Sequence, residues 1–417
     1  MHASLRAAFA AALLIVPSSA ALAQALTIDE AVSRARAANP SERAAEASIA
    51  AARAGRLQAG LKPNPTISVE GENLAGSGNY SVLEQAEITG SYNQLIERGG
   101  KRQARVALAE RDIAVAEAGV GLVRITLAQA VQNAFLDALV ADQAVRIAED
   151  RLVIERGLEN EALRRVRSAK DPLFVETRAA ARVADARIAV DQAKRRAASA
   201  RMLLASFWGG DGAGLELAGD PIAVSADVAA GGAARLAGAD QRLAEAELAR
   251  ADAQLIYERT RTTQDWTVSG GARFLRDTND VALVAGVTIP LGRSDRNQGN
   301  IARAEAERLR LQATAQAALL ERQRTLGRLT RDAESARLRA TAINRDVYPK
   351  VTKALAQVQE GYARGGFSFR DMQEAADAIF AAQADYLDAL TTLRANQAEI
   401  DRLTGRFDTQ NPAEMPR

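Results

Sequence analysis

The chain has 417 residues, 54 Lys and Arg against 52 Asp and Glu, one histidine at position 2 and no cysteine. Thiolate metal sites, disulfides, cysteine nucleophiles and histidine acid–base chemistry therefore have no residues to work with, and no enzyme class or cofactor finds support. A net charge of +2, with no basic run interleaved with aromatics, excludes a nucleic-acid partner; 47% hydrophobic but only 4% aromatic residues suit long, closely packed helices better than a conventional core.

Residues 1–23 have the pattern of a secretory signal: Arg6, the apolar run "AAFAAALLIV", and "ALA" before Gln24. The run is too short to cross a bilayer. No cysteine follows the cleavage site, so lipidation through Cys is excluded. No other stretch approaches 18 uninterrupted apolar residues, so no membrane-spanning helix is expected.

Thr27 and Glu30 have capping-box spacing, and the spacing predicts one helix from there to the prolines at 63 and 65. "TISVEGE" and "EITGSYNQLI" then alternate apolar and polar residues around the loop "AGSGNYS", which predicts a β-hairpin over 65–96. After "ERGGKR" a helix of about 60 residues carries Val106, Ile113, Val120 and Leu127, with Ala109, Ala116, Val123 and Ala130 three residues on, the repeat of a coiled-coil seam. "RSAKDP" turns it back into a helix ending near Phe207, where Asp171 is expected to serve as a turn and N-cap residue.

The second half follows the same plan. A helix near 235–262 precedes "WTVSGGARF" and "VALVAGVTI", a second hairpin over 265–291, with Trp266, Val268 and Phe274 on one face. A second long helical hairpin follows over 297–405, kinked at Tyr348-Pro349 and turning at "ARGGFSF". "RGGKRQARVALAE" aligns with "RSDRNQGNIARAE" at an offset of 195, which points to an internal duplication: 24–220, then 221–405, with a tail over 406–417.

Strands of nine or ten residues are long enough to cross a bilayer when tilted, and an apolar-out, polar-in alternation is that of a membrane barrel. Four strands cannot close, so other copies of the chain must complete them. The alternative is a soluble sheet on a helical stalk, as in a periplasmic coiled-coil adaptor. Trp266, Phe274 and Tyr92 are candidates for an interfacial aromatic girdle or for packing between strands. The few methionines are scattered and do not form a relay for soft metals.

"LTIDEAVSRARAANP", "AGLKPNPTISVEGEN", "QLIERGGKRQAR", "VTIPLGRSDRNQGNIARAEAE" and "GYARGGFSFRDMQEAADAIFAAQADYLDAL" together resemble the TolC-type outer-membrane efflux proteins over about 25–405. The PNP, ERGGKR and FSFRD details are most similar to the heavy-metal/cation branch of CzcC- and CusC-like proteins. The resemblance implies a mainly α fold with β: long antiparallel coiled-coil hairpins forming a periplasmic α-barrel, and four strands per chain in a trimeric twelve-stranded outer-membrane β-barrel. It implies a homotrimer in outer-membrane lipid that works with a periplasmic adaptor and an inner-membrane pump of the RND class. Such a channel conducts passively, with metal cations as one candidate cargo. It places acidic constriction residues at Asp371 and Glu374, the latter where the family often has aspartate; the first-repeat equivalents are Glu176 and Ala179. Adaptor-contacting tips would fall at Val166, Arg167 and Ser168, and at Ala363, Arg364, Gly365, Gly366 and Ser368.

Overall fold

The computed structural model describes residues 25–81, 83–219, 236 and 238–408. The signal-like segment, most of the link between the halves and the end of the tail lie outside them.

Thr27 caps α1 (Ile28–Ala38): its hydroxyl accepts from the Glu30 amide, and the Glu30 carboxylate accepts from the Thr27 amide. The single helix expected from here to Pro63 is instead two. Asn39 is extended, as a residue before proline prefers; its side chain accepts from the Ser41 amide, and Pro40 starts α2 (Pro40–Ala59).

β1 (Thr66–Glu72) and β2 (Glu87–Ile96) form the first hairpin, and the 67-residue α3 (Lys101–Arg167) leaves it. At 1.5 Å per residue α3 is about 100 Å long. α4 (Leu173–Ser206) returns antiparallel to it, and α5 (Ala239–Thr260) follows. Next come β3 (Trp266–Leu275), β4 (Asp280–Thr288) and α6 (Gln298–Ala342). A five-residue π turn, Ile343–Val347, joins α6 to α7 (Tyr348–Arg364), and α8 (Phe369–Thr404) closes the chain. The π turn lies immediately before Pro349, whose missing N–H interrupts the helical ladder; the Tyr348 amide reaches Ile343 O instead.

No single core holds these helices. Apolar clusters are strung along their length: one joins α1, α3, α4 and α8 around Val32, Val131, Phe135 and Leu204, another joins the helix ends around Leu158, Tyr362, Met372 and Ile379, and a third lies between α6 and α8. α3 contains an 18-residue stretch apolar enough to cross a membrane by composition alone, with a mean hydropathy of 1.4. Its large side chains Val131, Phe135, Leu136 and Leu139 are buried against the neighbouring helices.

The four strands form one antiparallel sheet in chain order, so β2 pairs with β3 across the two halves. β1 pairs only with β2 and β4 only with β3, which leaves both outer edges open among the described residues. Ile289, expected on the last strand, lies beyond its end, next to Pro290.

Both hairpin tips use the same device. The amides of Ala169 and Lys170 bond to the carbonyls of Val166 and Arg165, and those of Gly365 and Gly366 to Tyr362 and Gly361, the paired bonds of a Schellman motif. The left-handed position is Gly365 (φ 86°) in one tip and Ala169 (φ 55°) in the other. An L-residue there is strained by about 1 kcal/mol. Ala169→Gly is expected to slow hydrogen exchange of the Ala169 and Lys170 amides about fivefold; an unchanged or faster rate would show that the alanine is unstrained.

Candidate functional site

The register sorts the sheet into two chemically opposite faces. Ile67, Val69, Ile88, Tyr92, Trp266, Val268, Phe274, Val281, Leu283 and Val287 share one face with small residues. Apart from Arg98 over Trp266, little among the described residues covers it: Leu283 is 91% exposed and Ile67 80%. A soluble domain rarely leaves so large a continuous apolar patch open. Trp266 and Phe274 are near opposite ends of β3, as a girdle requires. Tyr92 is not at a strand end; it sits mid-strand, opposite Ile67 and Gly270.

The other face carries most of the polar side chains, with Leu95, Leu275 and Val284 among them, and is internally bonded. The Arg273 guanidinium meets Glu72 at 2.9 Å and Glu87 at 2.6 Å, and its Nε donates to Thr89 Oγ1 at 2.9 Å. The Ser68 and Ser91 hydroxyls are 2.7 Å apart, and Asn93 donates to Ser68 at 3.0 Å. Polar groups in contact with one another, backed by an apolar sheet face, are the arrangement of a wet lumen inside lipid.

At the opposite end of the molecule are the two tips. Arg167, Ser168, Ala363, Arg364, Gly365, Gly366 and Ser368 are exposed there, and Val166 is half-buried against the apolar tip cluster. Ser368 caps α8 in a box with Asp371: the Asp371 carboxylate accepts from the Ser368 amide and hydroxyl, each at 2.7 Å. Those bonds hold the Asp371 carboxyl below the usual carboxylate range. Glu374 is exposed one turn on and pairs with Arg370 at 2.9 Å. The two acids thus share one end of α8 and one solvent-facing side. Ala179, aligned with Glu374 by the repeat, is buried in the tip cluster, while Glu374 is exposed.

Asp171 is not the N-cap of α4; Pro172 holds that position. Its carboxylate instead receives Nε and Nη2 of Arg165, at 3.0 and 3.1 Å, and the hydroxyl of Tyr362. Arg165 Nη1 donates to the Tyr362 carbonyl at 2.6 Å, and its guanidinium lies 4.5 Å from the centroid of the Tyr362 ring. Three side chains thereby form a closed cycle between the first and second turns. Arg165 holds the Asp171 carboxyl below its usual range, with the Tyr362 hydroxyl adding to the effect, while burial pushes the Tyr362 phenol up. Farther from the tip, Arg182 of α4 joins Glu155 of α3 at 2.8 Å to Asp377 of α8. No local motif announces Arg165, Tyr362 or Arg182, because their partners are distant in the chain; only the equivalence of the two turns hinted that they meet.

An open-edged sheet with an apolar outer face, set at the end of helical hairpins about 100 Å long, defines a channel-forming outer-membrane protein. The chain belongs to the outer membrane efflux protein family, whose model matches residues 31–210. It is 30% identical to the cobalt-zinc-cadmium resistance protein CzcC of Cupriavidus metallidurans, across 91% of this chain and 90% of that protein. Among solved structures, the outer membrane protein VceC of Vibrio cholerae superposes with a TM-score of 0.72 at 18% identity, covering 91% of this chain and 96% of that one. CusC, whose structures describe transmembrane channel formation, gives a TM-score of 0.72 at 16% identity, over 90% and 91% of the two chains.

Proposed function

We propose that three copies of this chain close one barrel in the outer membrane and act as the passive exit duct of a tripartite efflux system. The observation that carries this reading is the uncovered apolar face of a sheet whose two edges are both open, with a bonded polar face behind it. The energy for transport comes from an inner-membrane pump of the RND class, reached through a periplasmic adaptor that meets the tips at Val166, Arg167 and Ser168 and at Ala363, Arg364, Gly365, Gly366 and Ser368. Similarity to a cobalt-zinc-cadmium resistance protein favours divalent metal cations as cargo. This chain adds no ligand set for them: among the described residues no group of three or more His, Cys, Asp or Glu is placed to hold a metal ion. Selection among cations therefore falls to the pump.

Asp371 and Glu374 surround the periplasmic mouth in this reading, and threefold symmetry multiplies them into a ring that attracts cations and repels anions. The test is single-channel conductance in planar bilayers. Wild-type protein is expected to form cation-selective channels blocked by multivalent cations, and Asp371→Asn/Glu374→Gln to lose both properties. The amide introduced by Asp371→Asn keeps an oxygen that can accept from Ser368, so the cap survives the loss of charge. Unchanged selectivity and block would refute the ring. Recovery of the protein wholly in osmotic-shock fluid, as a soluble adaptor would behave, would refute the duct itself.

A further inference from the structure

A pocket of about 340 Å³ lies where the sheet meets the helices. Its walls are the link from α2 to β1, with Lys62 and Pro63, the end of β2, with Ile96 and Glu97, and the first turn of α3, with Arg102. The cations around it are of two kinds. Lys101 is paired with Asp265 at 2.8 Å. Arg105 takes Glu97 through two bonds of 2.5 and 3.2 Å and also reaches the Ala59 and Leu61 carbonyls. Glu97, the one carboxylate in the wall, is thus already engaged. Lys62 and Arg102 line the same cavity with no carboxylate or hydrogen-bond partner among the described residues.

The pocket's position gives this charge a meaning. Ile96 pairs across the sheet with Trp266, and both lie on the apolar face at its helix-side border. The Arg98 guanidinium stacks on the Trp266 ring at 3.9 Å. Amphipathic rings and basic side chains at the edge of an apolar band are found where a membrane's hydrocarbon gives way to its headgroups. Two unneutralised cations beside that edge face the level at which phospholipid phosphates lie, and a guanidinium with an ammonium suits a phosphate diester.

We propose that this pocket binds the phosphate of an anionic glycerophospholipid in the leaflet nearest the helices, with the lipid's chains running along the apolar face beside Ile96 and Trp266. The placement rests on the outer-membrane reading above. Lys62 and Arg102 hold the phosphate; Arg105 keeps Glu97 from competing for them.

Native mass spectrometry of the purified, assembled protein in dodecyl maltoside, titrated with phosphatidylglycerol, tests this without depending on where the protein resides. Lys62→Gln/Arg102→Gln is expected to weaken binding roughly 30-fold, from about one interaction's worth per cation. Lys62→Arg/Arg102→Lys is expected to stay within about threefold of wild type, since both charges remain. Equal phosphatidylglycerol binding by the wild type and the glutamine variant would overturn the site. Displacement of the lipid by millimolar inorganic phosphate would assign it to free phosphate instead, and binding only by dissociated single chains would show that a second copy fills the pocket; either result overturns the proposal. Outer-membrane fractionation of the glutamine variant is expected to be unchanged, so loss of lipid binding and failure of the duct reading are separable.

Discussion

Leu283→Arg is expected to abolish recovery of the assembled protein from the outer membrane, although Leu283 touches almost nothing within its own chain. The side chain is 91% exposed and sits near the middle of β4 on the apolar face, beyond Val69, Gly90 and Ala272 in the same cross-strand row. Were that face in water, adding a charge at so open a position would change stability by no more than about 0.5 kcal/mol. Facing hydrocarbon near the bilayer midplane, the same change costs about 2–4 kcal/mol per copy. Thr288→Lys, one strand face away and on the polar side, is the matched control and is expected to assemble normally. Heat-modifiable gel migration of outer-membrane extracts reads both variants. Normal assembly of Leu283→Arg would mean that the face does not meet lipid.

Asp171→Ala is expected to loosen the tip and raise single-channel conductance. Arg165 and Asp171 are each only 15% exposed, and removing the acid leaves the guanidinium and the Tyr362 hydroxyl without their shared partner. Breaking a pair buried to this degree costs on the order of 3 kcal/mol. Tyr362→Phe deletes one hydrogen bond and keeps the ring, so its effect is expected to be smaller, about 1 kcal/mol. The pH dependence has a defined sign. The folded-state pKa of Asp171 is depressed, so its contribution is fully present above the ordinary carboxylate value of about 4 and is lost as pH falls through the lower folded value. Acidification below about pH 4 is therefore expected to narrow the difference in conductance between wild type and Asp171→Ala, since protonation of Asp371 and Glu374 acts on both alike. Identical conductance and pH profiles in the two proteins would show that the cycle of Arg165, Asp171 and Tyr362 does not restrain the tip.

Much of the architecture was legible because it is periodic. The alternation in "TISVEGE", "EITGSYNQLI", "WTVSGGARF" and "VALVAGVTI" placed the strands and their faces, since a pleated strand reverses its side chains at every residue. Of the heptad positions on α3, Ala109, Val120 and Leu127 are buried, while Val106, Ile113, Ala116, Val123 and Ala130 are half-buried. Pattern failed where one residue's backbone chemistry decides. Pro40 ends a helical segment whose alanine-rich composition gave no other sign of stopping. The tip was half legible: Ser368 and Asp371 are three residues apart and advertise their capping box. Asp171, beside a proline, looked like an N-cap, because its real partners are an arginine six residues earlier and a tyrosine 191 residues later. Local spacing records local bonds, and the tip is held by long-range ones.

The two open strand edges have a consequence for the order of events in biogenesis. The outward-facing backbone amides and carbonyls of β1 and β4 have no strand partner among the described residues, so one chain alone does not close the sheet. In the trimeric reading proposed above its last ladders form between chains, which makes the final folding step an encounter whose rate depends on concentration. Until that encounter a lone chain presents two adhesive borders and an oily face. On that reading, escort across the periplasm and rapid association are as much conditions of this fold as any contact inside it.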